Sequence, residues 1–82
     1  MVEKKPNTYI SAFQLVKDAV APLYDEQEAT AIAKQFLEDT INISSYEIFL
    51  YPNHLVQETQ QALIENGAHR LAKGEPLQYI MG

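Results

Sequence analysis

Four stretches of this chain carry apolar residues at helical spacing, and none alternates in the manner of a half-buried strand. In the first, Tyr9, Phe13, Val16 and Val20, with Leu23 beyond, fall on one side, and Ser11, Gln14 and Asp18 fall opposite. Asn7 or Thr8 can cap this helix, and Pro22 ends it. The second stretch opens on Asp25-Glu26-Gln27-Glu28. Asp25 is placed as N-cap with Glu28 three residues on, as in a capping box. Its stripe is Ala29, Ile32, Ala33, Phe36 and Leu37, closing near Thr40 and Ile41. The alanines make this face thin, so another helix can approach closely.

The third stretch starts on Ser44-Ser45-Tyr46-Glu47, with Ser44 as cap and Glu47 as its answer, and stops at Pro52. Tyr46, Ile48, Phe49, Leu50 and Tyr51 make it apolar nearly all round, which predicts a short helix buried in the middle of the domain. The fourth is predicted from Asn53 or His54 to Lys73, with Val56, Leu63, Ile64, Gly67 and Leu71 on one stripe. Glu58, Glu65 and His69 face out. A mid-helix glycine costs ~1 kcal/mol against alanine, so Gly67 is expected to permit a close helix contact. Gly74 is expected to end the helix in a left-handed cap, and Pro76 to prevent its continuation. Residues 1–6 read as a loose arm. Short connections then give an all-α fold, a small bundle of four to five helices.

Composition narrows the function more by exclusion than by indication. The chain of 82 residues holds one small domain. It has no cysteine, which removes disulfides and thiolate metal sites and fits a reducing cytoplasm. No apolar run approaches the ~20 residues that span a bilayer, and MVEKKPNTYIS is not a signal peptide. The net charge is −5, and the six basic residues Lys4, Lys5, Lys17, Lys34, Arg70 and Lys73 are scattered. Direct nucleic-acid binding needs clustered cations, so it is not expected.

No catalytic constellation is legible. If His54 and His69 lie on one helix, fifteen residues separate them by ~22 Å and they cannot share a metal. Asp25, Glu26 and Glu28 could imitate a metal site, but capping and the helix dipole account for them. Glu38 and Asp39, near a helix C-terminus where negative charge is unfavourable, could mark a partner surface. Of the five tyrosines, Tyr9 and Tyr46 are expected in the core. Neither a catalytic, a cofactor-binding nor a metal-ligating residue is assigned.

The last thirteen residues, RLAKGEPLQYIMG, add a motif. Arg70, Gly74, Glu75, Pro76, Tyr79, Ile80 and Gly82 read as R-x-x-x-G-E-P-x-x-Y-I-x-G. This resembles the end of the N-terminal domain of the HemK/PrmC family, which are S-adenosylmethionine-dependent methyltransferases of the glutamine in the GGQ motif of peptide-chain release factors. HLVQETQQALIENGAHRLAKGEP resembles the family's final bundle helix, and EATAIAKQFLED its second, in the placement of Ala29, Ile32 and Leu37. Leu71, Ala72 and Lys73 stand where the family often carries more arginine.

The resemblance implies a helical, substrate-recognition domain over residues 1–75, with 76–82 starting a linker to a methyltransferase domain beyond. The family's cofactor loop and Asn-Pro-Pro-Tyr motif would lie in that domain, so the chain alone is expected to be inactive. Its partners would be a release factor and its own catalytic domain, in the cytoplasm, with no membrane. Cut there, Leu77, Tyr79, Ile80 and Met81 would lose packing partners and be mobile or poorly packed, in a short extended segment. The alternative is a stand-alone helical protein–protein interaction module. An acyl carrier protein is rejected because Ile43-Ser44-Ser45-Tyr46 replaces the Asp-Ser-Leu attachment site. A helix-turn-helix DNA binder is rejected because no helix carries a basic face.

Overall fold

A computed structural model describes residues 6–77 and residue 80 of the chain. Four helices follow in order: α1 (Tyr9–Val20), α2 (Glu26–Ile41), α3 (Ser45–Leu50) and α4 (Glu58–Ala72). No strand occurs among the described residues, and the fold is the expected all-α bundle. α1 is its hub, packed against each of the other three helices, and α2 also touches all of them. α3 touches α1 and α2 but not α4.

The start of α1 shows why the chain takes this path. The first four amides of a helix have no partner within it. Here the Tyr9 amide donates to the His54 carbonyl and the Ile10 amide to that of Pro52, both at 3.0 Å. The Ser11 amide donates to Thr8 Oγ1 at 3.1 Å and the Ala12 amide to the Thr8 carbonyl at 2.8 Å. Thr8, rather than Asn7, is therefore the cap. The segment after α3 completes the accounting by running antiparallel to residues 7–10, where the Val56 amide donates back to Asn7 at 2.9 Å. Thr8 and Leu55 form an isolated antiparallel bridge there.

That service sets the start of α4. It begins at Glu58, four residues beyond His54, because residues 52–56, a turn followed by a short bridged stretch, are bonded to the start of α1. Gln57 is the N-cap, its amide donating to Gln60 Oε1 at 3.4 Å. His54 is thus not on the helix with His69, and its ring lies against that of Tyr9, 4.8 Å between centroids. Pro6 is fully buried, so the loose arm does not extend to it. Residues 1–5 lie outside the described residues.

Asp25 caps α2, its Oδ1 accepting from the Glu28 amide at 2.8 Å. Asn42 ends α2 with φ at 56°, a left-handed conformation that asparagine tolerates better than most residues. The core combines Phe13, Val16 and Val20 of α1, Phe36 and Leu37 of α2, Ile48 of α3, and Ile64 and Leu71 of α4. Alanines 12, 29, 33 and 68 sit between them. Two stripe residues depart from expectation: Leu23 and Leu63 are exposed. Leu23 follows the end of α1 in the turn around Pro22, and Leu63 stands at the edge of the α4 stripe. Tyr9 packs half-buried against the core, as expected.

Candidate interaction surface

α3 departs furthest from its sequence pattern. Its only fully buried side chain is Ile48. Tyr46, Phe49, Leu50 and Tyr51 are 62, 52, 59 and 59% exposed, so the segment lies on the outside of the bundle and Tyr46 is not a core residue. With six residues α3 buries one side chain fully. Ser44 does not cap the backbone of this helix; its hydroxyl instead donates to Glu47 Oε1 at 3.2 Å.

Tyr46, Phe49 and Leu50 are three and four residues apart, so they lie side by side on the outer face of α3. Phe49 is held from below by Phe13, edge-on at 5.4 Å, and from the side by the Lys34 ammonium 5.6 Å from its ring centroid. Side chains of this size each carry roughly 150–250 Å², so these three, a little over half exposed, leave roughly 300–400 Å² of mostly apolar surface, with Tyr51 exposed just beyond the helix end. A patch of that extent falls within the roughly 300–600 Å² of the largest patch on a typical monomer, which is often functional.

The end of α4 gathers the other residues of interest. The Arg70 guanidinium donates twice to Glu75 Oε1, from Nε at 3.0 Å and from Nη2 at 2.7 Å. These bonds hold the Glu75 carboxyl below its ordinary pKa, with the charges of Arg70 and Lys73 acting in the same direction against partial desolvation. The same pair raises Arg70 above its ordinary value. Gly74 has φ at 90°, the left-handed cap expected of it. Leu77 and Ile80 have helical backbone and pack, half-buried, against the core. This corrects the expectation that they form a poorly packed extended segment. Ile80 and Arg70 border a groove of about 260 Å³ floored by Phe36 and Gly67 and edged by Asp39, Leu63 and Asn66. Of the motif residues, the structure thus brings together Arg70, Gly74, Glu75 and Ile80, and leaves Pro76 exposed beside them. Tyr79 and Gly82 lie outside the described residues, as does Met81.

The remaining polar candidates stay apart. Asp25, Glu26 and Glu28 sit in the exposed first turn of α2. Asp39 accepts from Gln35 Nε2 at 3.1 Å and is exposed, with Glu38 half-buried beside it. Among the described residues no group of histidines and carboxylates could hold a metal ion, and no helix is long and apolar enough to cross a membrane.

These features define a small all-α domain with an uncovered aromatic helix face. The sequence pattern of the PrmC N-terminal domain matches residues 14–82, and the chain belongs to that family. It is also similar to the release factor glutamine methyltransferase of Bacteroides thetaiotaomicron, 25% identical over 67 residues, which cover 82% of this chain and 24% of that protein. The chain therefore spans about a quarter of the length of the curated relative it matches. No solved structure matches it significantly.

Proposed function

We propose that this chain is the release-factor-recognition domain of an S-adenosylmethionine-dependent protein-glutamine methyltransferase. The observation that carries the reading is the family match over residues 14–82. The similarity to a release factor glutamine methyltransferase names the substrate class. In this reading residues 1–75 form the recognition bundle, and residues 76–82 begin the passage to a catalytic domain that binds the cofactor and does the chemistry in the cytoplasm. The bundle is not itself catalytic. It contributes by holding a large substrate at a distance from the reacting atoms, which converts an encounter into a positioned complex.

The outer face of α3 is the surface we assign to the release factor. Two observations favour that occupant. α3 does not touch α4, so the aromatic face is separated from the helix that leads out of the bundle towards the rest of the enzyme. Its roughly 300–400 Å² also fall short of the ~800 Å² per partner of a stable interface, which disfavours a self-associated dimer and suits a substrate that must leave. The test is a titration of the isotope-labelled chain with a bacterial release factor. Amide shifts centred on Tyr46, Phe49, Leu50 and Tyr51 are expected, and Phe49→Ala with Tyr51→Ser should weaken binding about tenfold or more. Shifts confined to other faces would overturn the α3 assignment. No binding by the chain or by a longer form carrying Asn-Pro-Pro-Tyr would overturn the recognition role, and concentration-dependent dimerisation through α3 would replace the partner with a second copy.

A further inference from the structure

The end of α4 is a Schellman turn with an unusual fastening. In such a turn the amide of the residue after the left-handed glycine reaches back to the carbonyl five residues earlier, and the glycine amide to the carbonyl three earlier. Both bonds are present: Glu75 amide to Arg70 carbonyl at 3.3 Å, and Gly74 amide to Leu71 carbonyl at 3.0 Å. The two residues that the longer bond joins usually also share an apolar contact. Here those two residues are Arg70 and Glu75, and a doubly hydrogen-bonded ion pair takes the place of that contact.

We propose that the Arg70–Glu75 pair is a latch that sets the direction in which the chain leaves the bundle and seats Leu77 and Ile80 on the core. The geometry supports a positioning role rather than a general stabilising one. Both side chains are more than a third exposed, and exposed pairs contribute little to global stability. What the pair does control is local. Pro76 follows the latch directly and restricts its own backbone, so the orientation of Glu75 is transmitted to Leu77. Arg70 also borders the same groove as Ile80, so one side chain closes the turn and flanks the seat of the segment that the turn delivers. A glycine turn without this fastening would fray, as helix ends do, and release Leu77 and Ile80 while α1, α2 and most of α4 stayed folded. The latch is independent of the proposed partner, since it lies in the chain whatever the domain recognises.

Backbone relaxation of the full chain tests this, with Glu75→Ala and Arg70→Met each set against the parent and against the charge-swapped Arg70→Glu/Glu75→Arg. Met keeps the apolar stem of Arg70 and removes the charge. In both single variants the order parameters at Leu77 and Ile80 should fall from about 0.85 to below about 0.6, while those up to Leu71 hold. The swapped pair should recover most of the loss. Unchanged values at Leu77 and Ile80 in the single variants would overturn the latch. So would an equal loosening of α1 and α4, which would make the pair a general stabiliser, and so would a swapped variant as loose as the singles.

Discussion

A Cβ at Gly67 would run into the Phe36 ring, closest to its Cζ. A flexible side chain could swing away from such an overlap, but Phe36 is a stiff ring only 1% exposed, so it must shift against its core neighbours to make room. Gly67→Ala therefore sets overpacking, about 1–3 kcal/mol, against a gain in helix propensity of about 1 kcal/mol. We expect net destabilisation, seen as a lower thermal midpoint. Shortening the ring with Phe36→Leu should reduce the cost of Gly67→Ala, so the two changes should couple in a double-mutant cycle. Additivity would show that the ring does not set the limit. The spacing of the α4 stripe made a close contact at Gly67 legible beforehand, but its partner was not, because pairing of stripes depends on crossing geometry. Glu75 supports a second expectation. Its pKa is depressed in the folded chain, chiefly by the Arg70 hydrogen bonds. Its contribution is therefore complete above the unfolded-state value and is lost as pH falls through the folded one. Lys73 on the same turn acts with Arg70. Carbon-detected titration should place the Glu75 midpoint below the ordinary glutamate range, and Arg70→Met should return it there.

At the scale of elements, caps were more legible than burial. Asp25 announced α2 because a short carboxylate can accept from an amide that the helix leaves unpaired, and this requires no tertiary information. The late start of α4 was not legible, since residues 52–56 satisfy α1 amides from a distant part of the chain and are thereby withdrawn from the helix. α3 misled in the opposite sense. An apolar composition all round reads as a buried segment, yet a helix of six residues buries only what its neighbours can cover, and α1 and α2 cover Ile48. The motif at the end of α4 could be read as a family mark, but its pairing of Arg70 with Glu75 was hidden because a left-handed glycine folds position 75 back over position 70. The α3 reading has a sharp consequence. Ile48→Ala should cost about 2–4 kcal/mol by opening a cavity under the helix. Tyr46→Ser, on the outer face of the same helix, should stay within about 0.5 kcal/mol. Denaturant midpoints of the two variants check this, and equal effects would mean that Tyr46 carries packing that its exposure does not reveal.

Across the whole molecule, stability should be distributed as the packing is. α1 is pressed between α2 and α4, and its first amides are all bonded, two of them to the loop after α3. α3 rests on that assembly by one fully buried side chain and leaves three large ones, with Tyr51 just after it, to solvent. Regions with few buried apolar contacts open locally at free energies well below the global value. Native-state hydrogen exchange should therefore rank the helices, with amides in the middle of α1 and α4 exchanging only through global unfolding and those of α3 through a cheaper local opening. The consequence for function is direct. A surface formed by a loosely held helix can adjust its aromatic side chains to a partner at small cost, and binding should then raise the protection of α3 more than that of α1. Exchange measured with and without a release factor separates two outcomes. Protection rising selectively in α3 would tie the mobile helix to recognition. If α3 is already as protected as α1 in the free chain, the helix is a rigid part of the core, and its exposed face presents a fixed shape to whatever binds there.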